Sequence, residues 1–310
     1  MRLPEYKNKT IVVTGSSGFI GSSLIKALKG FPCTIIALDR KTDITGKKTW
    51  ERVLKNADVL IHLAAQTSAK FANEHPRKDL KTNLIPIVNI LETCRDRTVK
   101  PDIIFAGTVT QVGLTKTYPV NETTKDQPTT VYDINKLAAE KYLQYYSSHM
   151  GGRAVTLRLS NVYGPGPPSS ADRGILNQMI RKALDGETLT IYGDGRMIRD
   201  YVYIDDVVNA FVMAGAHMET LKGNYYVIGS GTGHAIKEMV HAVREQVRSR
   251  TGTKSKIIHV PAPEDLSGIE FRSFIADSTA FKKETGWKAK VLLQDGINRT
   301  IDEFLKEQTV

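Results

Sequence analysis

The feature that most constrains the fold is a glycine-rich turn behind a β-branched run, in IVVTGSSGFIGSSL at residues 11–24. Gly15, Gly18 and Gly21 are spaced three residues apart, between a predicted strand at 10–15 and a predicted helix at 19–29. Glycine here permits a tight turn, a close approach of backbone to a pyrophosphate and close packing of helix on strand. The helix N-terminus also favours an anion. The pattern predicts a dinucleotide-binding turn, although three glycines alone are a weak signal.

Apolar runs recur along the first half of the chain, each separated by a segment of helical length. The predicted strands are 10–15, 33–39, 57–65, 101–108 and 154–164, and the predicted helices are 19–29, 48–56, 77–96 and 131–149. Strands that alternate with helices indicate a parallel sheet covered on both faces, with right-handed crossovers. The sequence therefore predicts an α/β fold with a doubly wound parallel sheet.

The regular alternation loosens after residue 164, where GPGPPSSADRG predicts a loop. A helix in ILNQMIRKALDG and a short strand in LTIYGDG follow it. We expect residues 1–164 to form the dinucleotide-binding domain, with returning segments at about 199–230. Residues 165–310 then form mainly a smaller α/β substrate-binding region.

Composition narrows the class of protein. A chain of 310 residues with 41% hydrophobic residues can bury a large core without disulfides, so Cys33 and Cys94 are predicted to be reduced thiols and no metal site is expected. The formal charge of +10 is scattered among acidic residues, which favours a solvated basic surface over nucleic-acid binding. No apolar run is long enough for a membrane span, so we expect a cytoplasmic protein without a membrane partner.

Asp39 ends the second predicted strand, where a carboxylate can accept hydrogen bonds from the adenosine ribose. It would repel a 2′-phosphate, which favours NAD over NADP. Arg40 follows directly and leaves NADP open, and Asp39 as a turn cap is the structural alternative.

Tyr132 and Lys136 lie four residues apart on the predicted helix 131–149, so they share one helix face. An ammonium near a phenol lowers the phenol pKa, which predicts that Lys136 makes Tyr132 usable as a base. Thr108 ends a predicted strand on the carboxyl edge of the sheet, where such folds bind ligands. A plain amphipathic helix and a turn-forming threonine are the alternatives.

Taken together, these motifs resemble the extended short-chain dehydrogenase/reductase superfamily. TGSSGFIG, Asp39, HLAAQTS (62–68), Thr108 and the Tyr132/Lys136 pair occur in that family's order. RLSNVYGPG, LTIYGDGRMIRDYVYIDDV and ADSTAFKKETGW resemble its nucleotide-sugar epimerase/dehydratase branch, so the resemblance covers nearly the whole chain. It implies a Rossmann-like fold, an NAD cofactor, a nucleotide-diphosphate-sugar substrate and a homodimer formed through helices 77–96 and 131–149.

The resemblance also implies roles for individual residues. Tyr132 is the acid/base, Lys136 holds the nicotinamide ribose, and Thr108 hydrogen-bonds the reacting oxygen. The implied cofactor contacts are Gly15, Ser17, Gly18, Phe19, Ile20, Gly21, Asp39, Arg40, Asp43, Ile44, Leu63, Ala64, Ala65, Tyr132 and Lys136. The implied substrate contacts are Thr67, Ser68, Thr108, Asn161, Ile175, Leu176, Tyr192, Arg199 and Arg272.

Departures from the family pattern limit which of the family's reactions the chain is expected to catalyse. The 4,6-dehydratases carry an Asp-Glu pair after the catalytic threonine, and the decarboxylases carry a glutamate two residues on, whereas this chain has Val109 and Thr110. Neither residue titrates near neutral pH. The resemblance therefore implies C4 epimerisation of a UDP-hexose, in carbohydrate biosynthesis. A reductase of a 4-keto nucleotide sugar and a dehydratase remain the alternatives.

Overall fold

A six-stranded parallel sheet forms the centre of the protein. The computed structural model describes residues 6–98, 100–167, 174–263 and 271–308. The central strands are β1 (Thr10–Thr14), β2 (Thr34–Leu38), β3 (Val59–His62), β4 (Asp102–Thr108), β5 (Arg153–Leu159) and β9 (Tyr225–Ile228), in the order β2-β1-β3-β4-β5-β9. The expected Rossmann-like parallel sheet is confirmed.

Helices cover both faces of this sheet because its strands are apolar on both sides. In β1, Ile11 and Val13 face one hydrophobic cluster and Val12 faces another. The helices are α1 (Phe19–Leu28), α2 (Lys47–Val53), α3 (Ala69–Glu74), α4 (Pro76–Asn83), α5 (Ile85–Cys94), α6 (Val131–His149), α7 (Ile175–Leu184), α8 (Ile204–Ala216), α9 (Met218–Leu221), α10 (Ile236–Thr251), α11 (Thr279–Thr285) and α12 (Leu293–Gln308). Within the described ranges, none of them is long and apolar enough to cross a bilayer.

Two small sheets lie in the second half of the chain. One contains β6 (Asn161–Tyr163), β8 (Ile198–Tyr203) and β10 (Gly233–Ala235), and the other contains β7 (Leu189–Tyr192) and β11 (Ile257–Val260). In the part of the chain between β8 and β10, α8 packs against α1 and β9 pairs with β5. Residues 204–228 therefore return to the central sheet.

Two local predictions differ from the structure. The helix predicted at 77–96 is two helices, because Pro86 lacks an N–H and its ring clashes with the preceding turn, so α4 ends before Leu84. The strand predicted at 154–164 divides at Ser160, where Leu159 pairs with Ile228 of the central sheet and Asn161 pairs with Tyr201 of a small one. Helix α3 was not predicted.

Candidate active site

A cleft of about 480 Å³ opens at the carboxyl ends of β1, β3, β4 and β5. Parallel α/β sheets bind ligands at this edge. Among the residues predicted to contact cofactor or substrate, it is lined by Gly15, Ser17, Gly18, Phe19, Ile20, Gly21, Asp39, Arg40, Ile44, Leu63, Ala64, Ala65, Thr67, Thr108, Tyr132 and Lys136. The fold thus brings most of the predicted cofactor residues into one cavity.

The glycine turn closes so tightly that side chains do not fit. A Cβ atom on Gly21 would lie 2.1 Å from the carbonyl oxygen of Gly15, and one on Gly15 would lie 2.9 Å from the backbone nitrogen of Ala64. Gly15 also has a φ of +67°, which L side chains rarely adopt. Gly18 is the N-cap of α1 and brings no side chain to the helix end, so the bare turn fits the pyrophosphate of a dinucleotide.

Gly21→Ala is expected to weaken NAD binding at least about tenfold, because the helix and the strand must separate to accommodate the methyl group. The same overpacking is expected to cost about 1–3 kcal/mol of unfolding free energy. Calorimetric titration with NAD and urea unfolding measure both effects. Gly30→Ala is the matched control, since its Cβ would lie 3.3 Å from the carbonyl oxygen of Ala27, and unchanged NAD affinity in Gly21→Ala would contradict the prediction.

Thr14 and His62 hold the turn in place. The Thr14 hydroxyl oxygen accepts from the backbone N–H groups of Leu63 and Ala64, both at 3.1 Å, and lies 3.0 Å from His62 Nδ1. With both lone pairs used, the hydroxyl donates to Nδ1. Burial, with a contribution from Lys136, lowers the pKa of His62 to about 3, so a neutral imidazole joins the ends of β1 and β3.

The adenosine end of the cleft is only partly as predicted. Asp39 and Arg40 are exposed and line it, and Asp39 Oδ1 also accepts from the N–H of Lys41 at 3.0 Å, so it caps the turn as well. Asp43 does not line the cleft. Its carboxylate accepts from the backbone and hydroxyl of Thr45, and these hydrogen bonds lower the pKa of Asp43.

The reacting end lies beside α6. Tyr132 and Lys136 line the cleft one turn apart on this helix, and Thr108 lines it from the end of β4. The Thr130 hydroxyl accepts from the N–H of Asp133 at 3.2 Å, which fixes the start of α6 and therefore the position of Tyr132. The Lys136 ammonium lies 3.9 Å from the centre of the Phe105 ring.

The prediction that Lys136 lowers the pKa of Tyr132 is wrong for this structure. Burial raises the pKa of Tyr132, and the carboxylates of Asp133 and Asp79 raise it further. Lys136 is itself buried, and burial lowers its pKa to about 7, against the opposing effects of Asp79 and Glu140. Burying the Lys136 ammonium costs free energy, because few polar groups replace the water that would solvate the cation.

Lys136 makes stability depend on pH. Its pKa is about 7 in the folded protein and 10.5 as its ordinary value, so the unfolded chain binds more protons between these limits. The unfolding free energy of the cofactor-free protein is therefore expected to rise from about pH 7 to about pH 9. Lys136→Met should remove that slope in urea unfolding, whereas Lys141→Met, on the exposed side of α6, should retain it. Equal slopes in the two variants would contradict the assignment.

The predicted substrate residues are more scattered. Thr67 and Thr108 line the cleft, whereas the Ser68 hydroxyl caps α3 by accepting from the N–H of Phe71 at 3.2 Å. Asn161 begins β6 and is not among the lining residues, although Ser160 and Val162 are. Ile175 and Leu176 begin α7, where Leu176 is buried in the hydrophobic core and Ile175 packs against it.

Arg199 and Arg272 come together although they are far apart in sequence. Arg199 lies in β8, is 4% exposed, and donates from Nη1 to the carbonyl oxygen of Arg272. Arg272 is close enough to Asp133 to lower the pKa of that carboxyl, so the pair approaches the start of α6. Tyr192 ends β7 and is 42% exposed. Residues 264–270, which closely precede Arg272, lie outside the described residues.

Seven lining residues were missed by the sequence reasoning: Thr42, Thr82, Ala106, Gly107, Leu159, Ser160 and Val162. Five of them lie at the carboxyl ends of β4 and β5 or just beyond. The rule that ligands bind at this edge would have found these five. Thr82 lies on α4 and depends on tertiary packing.

Comparisons with known proteins agree with this geometry. The family model described as "NAD dependent epimerase/dehydratase family" matches residues 11–229. A putative UDP-glucose 4-epimerase from Methanocaldococcus jannaschii is 29% identical, over 94% of this chain and 97% of that protein. The crystal structure of UDP-glucose 4-epimerase from Thermotoga maritima, with UDP-glucose, is 31% identical and has a TM-score of 0.86 over 96% of this chain and 99% of that one. The Thermus thermophilus UDP-glucose 4-epimerase, in complex with NAD, is 31% identical with a TM-score of 0.80, over 96% and 99% of the two chains.

Proposed function

The chain belongs to the NAD-dependent epimerase/dehydratase family, and on this premise we propose that it is a 4-epimerase of a UDP-hexose. One observation carries the proposal: Thr108, Tyr132 and Lys136 line the same cleft as the glycine turn. Val109 and Thr110, where related dehydratases and decarboxylases carry carboxylates, have none. The site thus holds the groups for oxidation and return of hydride, without the extra acid and base that elimination requires.

Each of the three residues has a distinct role in this proposal. Tyr132 removes the proton from the sugar 4-hydroxyl and later returns it, while Thr108 hydrogen-bonds the same oxygen. Lys136 binds the nicotinamide ribose, and Asp39 accepts from the adenosine ribose. Bound NAD would supply the hydride chemistry, which is reversible oxidation at C4 with return of the hydride to the other face of the keto sugar.

We assign the nucleotide part of the substrate to the second half of the chain, residues 165–310. The Arg199 guanidinium donates to the backbone carbonyl oxygen of Arg272, and the guanidinium groups of both residues suit a diphosphate chemically. Tyr192 presents an exposed ring on which a base can stack. Ser68, Asn161, Ile175 and Leu176 complete the proposed set, with Leu176 acting through packing.

We further propose a homodimer formed by α4, α5 and α6. Large apolar side chains are exposed on α4 and α6: Leu80 is 41% exposed, Ile134 51%, Tyr142 44% and Tyr145 52%. Exposing such an apolar face to water costs free energy, and the same face of a second copy of the chain would cover it. Sedimentation should find a dimer that Ile134→Lys converts to a monomer, whereas Leu292→Lys, on another exposed site, should leave it dimeric. A monomeric parent protein would refute this part of the proposal.

Cytoplasmic carbohydrate biosynthesis is the proposed setting. Cys33 and Cys94 are both free thiols, which is typical of a reducing compartment. A UDP-hexose epimerase would act there between the reactions that form nucleotide sugars and those that transfer their sugars.

The deciding experiment is turnover of UDP-hexoses in heavy water. We expect interconversion of the C4 epimers with the C4 hydrogen retained, because the hydride never leaves the enzyme. Deuterium incorporated on carbon at C4 of the sugar would refute the hydride-return mechanism. Stoichiometric consumption of NADH or NADPH when a 4-keto nucleotide sugar is supplied would identify the alternative, a keto-sugar reductase, and loss of water from the UDP-hexose would identify a dehydratase.

A further inference from the structure

A fully buried carboxylate joins three segments of the chain beside the reacting end of the cleft. Asp79 lies on α4 and is fully buried. Its Oδ1 accepts from the side-chain amides of Gln66 and Asn83, both at 2.8 Å, and its Oδ2 accepts from the amide of Asn135 at 2.7 Å. Gln66 lies in the loop after β3, and Asn135 lies on α6. One side chain therefore connects α4, this loop and α6.

The orientation of two of these amides is fixed by their other contacts. The side-chain oxygen of Asn83 accepts from the backbone N–H of Gln66 at 3.1 Å, and the side-chain oxygen of Gln66 accepts from the backbone N–H of Ser68. Both side chains therefore turn their NH₂ groups toward Asp79, whose oxygens must accept. Among the described residues, the hydrogen-bond donors to Asp79 are all neutral amides, so no cation is bonded to this buried charge.

The three amide donors lie directly behind the wall of the cleft. Each donor is next in sequence to residues that line the cleft, and these lining residues are Ala65, Thr67, Thr82 and Lys136. They belong to the loop after β3, to α4 and to α6. A displacement of the Asp79 carboxylate would therefore move all three segments of the cleft wall.

Asp79 is also suited to balance the charge of Lys136, which is 2% exposed. The carboxylates of Asp79 and Glu140 both raise the pKa of Lys136. Glu140 is bonded by the guanidinium of Arg158 at 2.6 and 2.9 Å, so a cation offsets its charge. The donors to Asp79 carry no charge, and its field on the ammonium is not offset in this way.

The other groups that face Lys136 are neutral at neutral pH. Burial, with a contribution from Lys136, lowers the pKa of His62 on β3 to about 3. Burial raises the pKa of Tyr132, one turn earlier on α6. From β4, the Phe105 ring lies with its centre 3.9 Å from the ammonium. Asp79 is therefore the carboxylate that leaves a net negative charge beside Lys136.

We propose that Asp79 is a positioning residue for the reacting end of the cleft: it holds the loop after β3 against the first turns of α6 and supplies the counter-charge of the Lys136 ammonium. It acts through Gln66 and Asn135, because it does not itself line the cleft. The effect on turnover rests on the proposed epimerase function, whereas the effect on charge does not.

Exchanging donor and acceptor tests the hydrogen bond between α4 and α6. In Asp79→Asn, the amide oxygen can still accept from Gln66 and Asn83, but the amide nitrogen meets the NH₂ group of Asn135, so this one bond is lost. In Asn135→Asp, two carboxylates meet at the same place. The double variant Asp79→Asn/Asn135→Asp places an amide donor opposite a carboxylate, which restores the bond with its direction reversed.

Each single variant is expected to lower kcat for a UDP-hexose about ten- to a hundredfold, because the reacting groups lose their alignment. The double variant should recover to within about threefold of the parent kcat, since the two changes are coupled through one hydrogen bond. Single variants as active as the parent, or a double variant no more active than Asp79→Asn, would overturn the inference.

A second measurement, urea unfolding of the cofactor-free protein across pH, needs no substrate. Asp79→Asn removes a negative charge, so the rise in unfolding free energy that Lys136 causes above about pH 7 should begin at lower pH than in the parent. The double variant returns a carboxylate to the residue before Lys136, so the rise should move back toward the parent position. Asp206→Asn is the matched control, because it removes another buried carboxylate that does not act on Lys136.

The two measurements separate failure of the inference from failure of the proposed function. A rise that begins at the same pH in Asp79→Asn and in the parent would overturn the charge assignment, as would an equal shift in Asp206→Asn. If the parent protein turns over no nucleotide sugar, the proposed function fails, while unfolding across pH still decides whether Asp79 balances the charge of Lys136.

Discussion

Tyr132→Phe is expected to lower kcat by about 10²–10⁴-fold, the usual contribution of a positioned acid/base. The variant loses only the phenolic oxygen, so the ring still lines the cleft between α6 and the end of β4. The affinity for NAD should stay close to the parent value, because the glycine turn and the adenosine end of the cleft at Asp39 are unchanged. Rates of C4 epimerisation and calorimetric titration with NAD measure the two effects separately.

Tyr142→Phe is the matched control for this prediction. Tyr142 lies on the same helix, is 44% exposed and lies outside the cleft, so its hydroxyl should have no effect on kcat. A Tyr132→Phe enzyme that kept more than about a tenth of the parent kcat would remove Tyr132 from the acid/base role, because losing a general base costs far more.

The pH profile of the parent enzyme follows from the same site. Burial and the carboxylates of Asp133 and Asp79 raise the pKa of Tyr132, so the phenolate needed for oxidation is scarce at neutral pH. We expect kcat/KM to rise with pH over the neutral range. Asp133→Asn removes one of the charges that hold the phenol protonated, so it should shift that rise to lower pH.

How much of this site the sequence could predict depends on the range of each interaction. The glycine turn, Asp39, Thr108 and Tyr132 are placed by local structure, because each lies at a strand end or at a helix start, and the sheet brings those ends together. Pro86 signals the break between α4 and α5, since proline ends a helix locally. The prediction of one helix at 77–96 gave the apolar pattern more weight than that signal.

Other features depend on contacts that no local pattern encodes. Asp133 meets Thr110 across 23 residues, and Arg199 meets Arg272 across 73. The pKa of Tyr132 was predicted from its spacing to Lys136 alone, whereas burial of the phenol raises that pKa. Desolvation depends on every element packed around a group, so it becomes visible only in the folded structure.

The largest stability effect is expected for Glu140, which lies in a buried charge network one turn after Lys136 on α6. Arg158 is fully buried and donates to Glu140 at 2.6 and 2.9 Å and to Asp126 at 2.6 and 3.0 Å. The side chain of Glu140 is fully buried, whereas that of Asp126 is 20% exposed. Gln111 Nε2 also donates to Glu140 at 3.3 Å, while Gln111 Oε1 accepts from the N–H of Thr108 at 3.1 Å. The network therefore supports the residue that contacts the reacting oxygen.

Glu140→Gln should reduce the unfolding free energy by about 3–5 kcal/mol, because it leaves a buried guanidinium with one charged partner instead of two. Urea unfolding at neutral pH measures the loss. The matched control is Glu219→Gln, which removes a carboxylate that is 69% exposed from Arg153 at the surface and should leave the unfolding free energy close to the parent value.

A second readout separates the two consequences of losing the Glu140 charge. The Glu140 carboxylate raises the pKa of Lys136, so replacing it with a neutral amide should lower that pKa from about 7. The pH-dependent change in stability due to Lys136 should then shift to lower pH. A stability loss below about 1 kcal/mol would mean that Asp126 alone compensates Arg158, because a buried charge left short of partners costs several times more. A full stability loss with an unmoved Lys136 transition would instead show that the buried ion pair and the lysine are energetically independent, although they share α6.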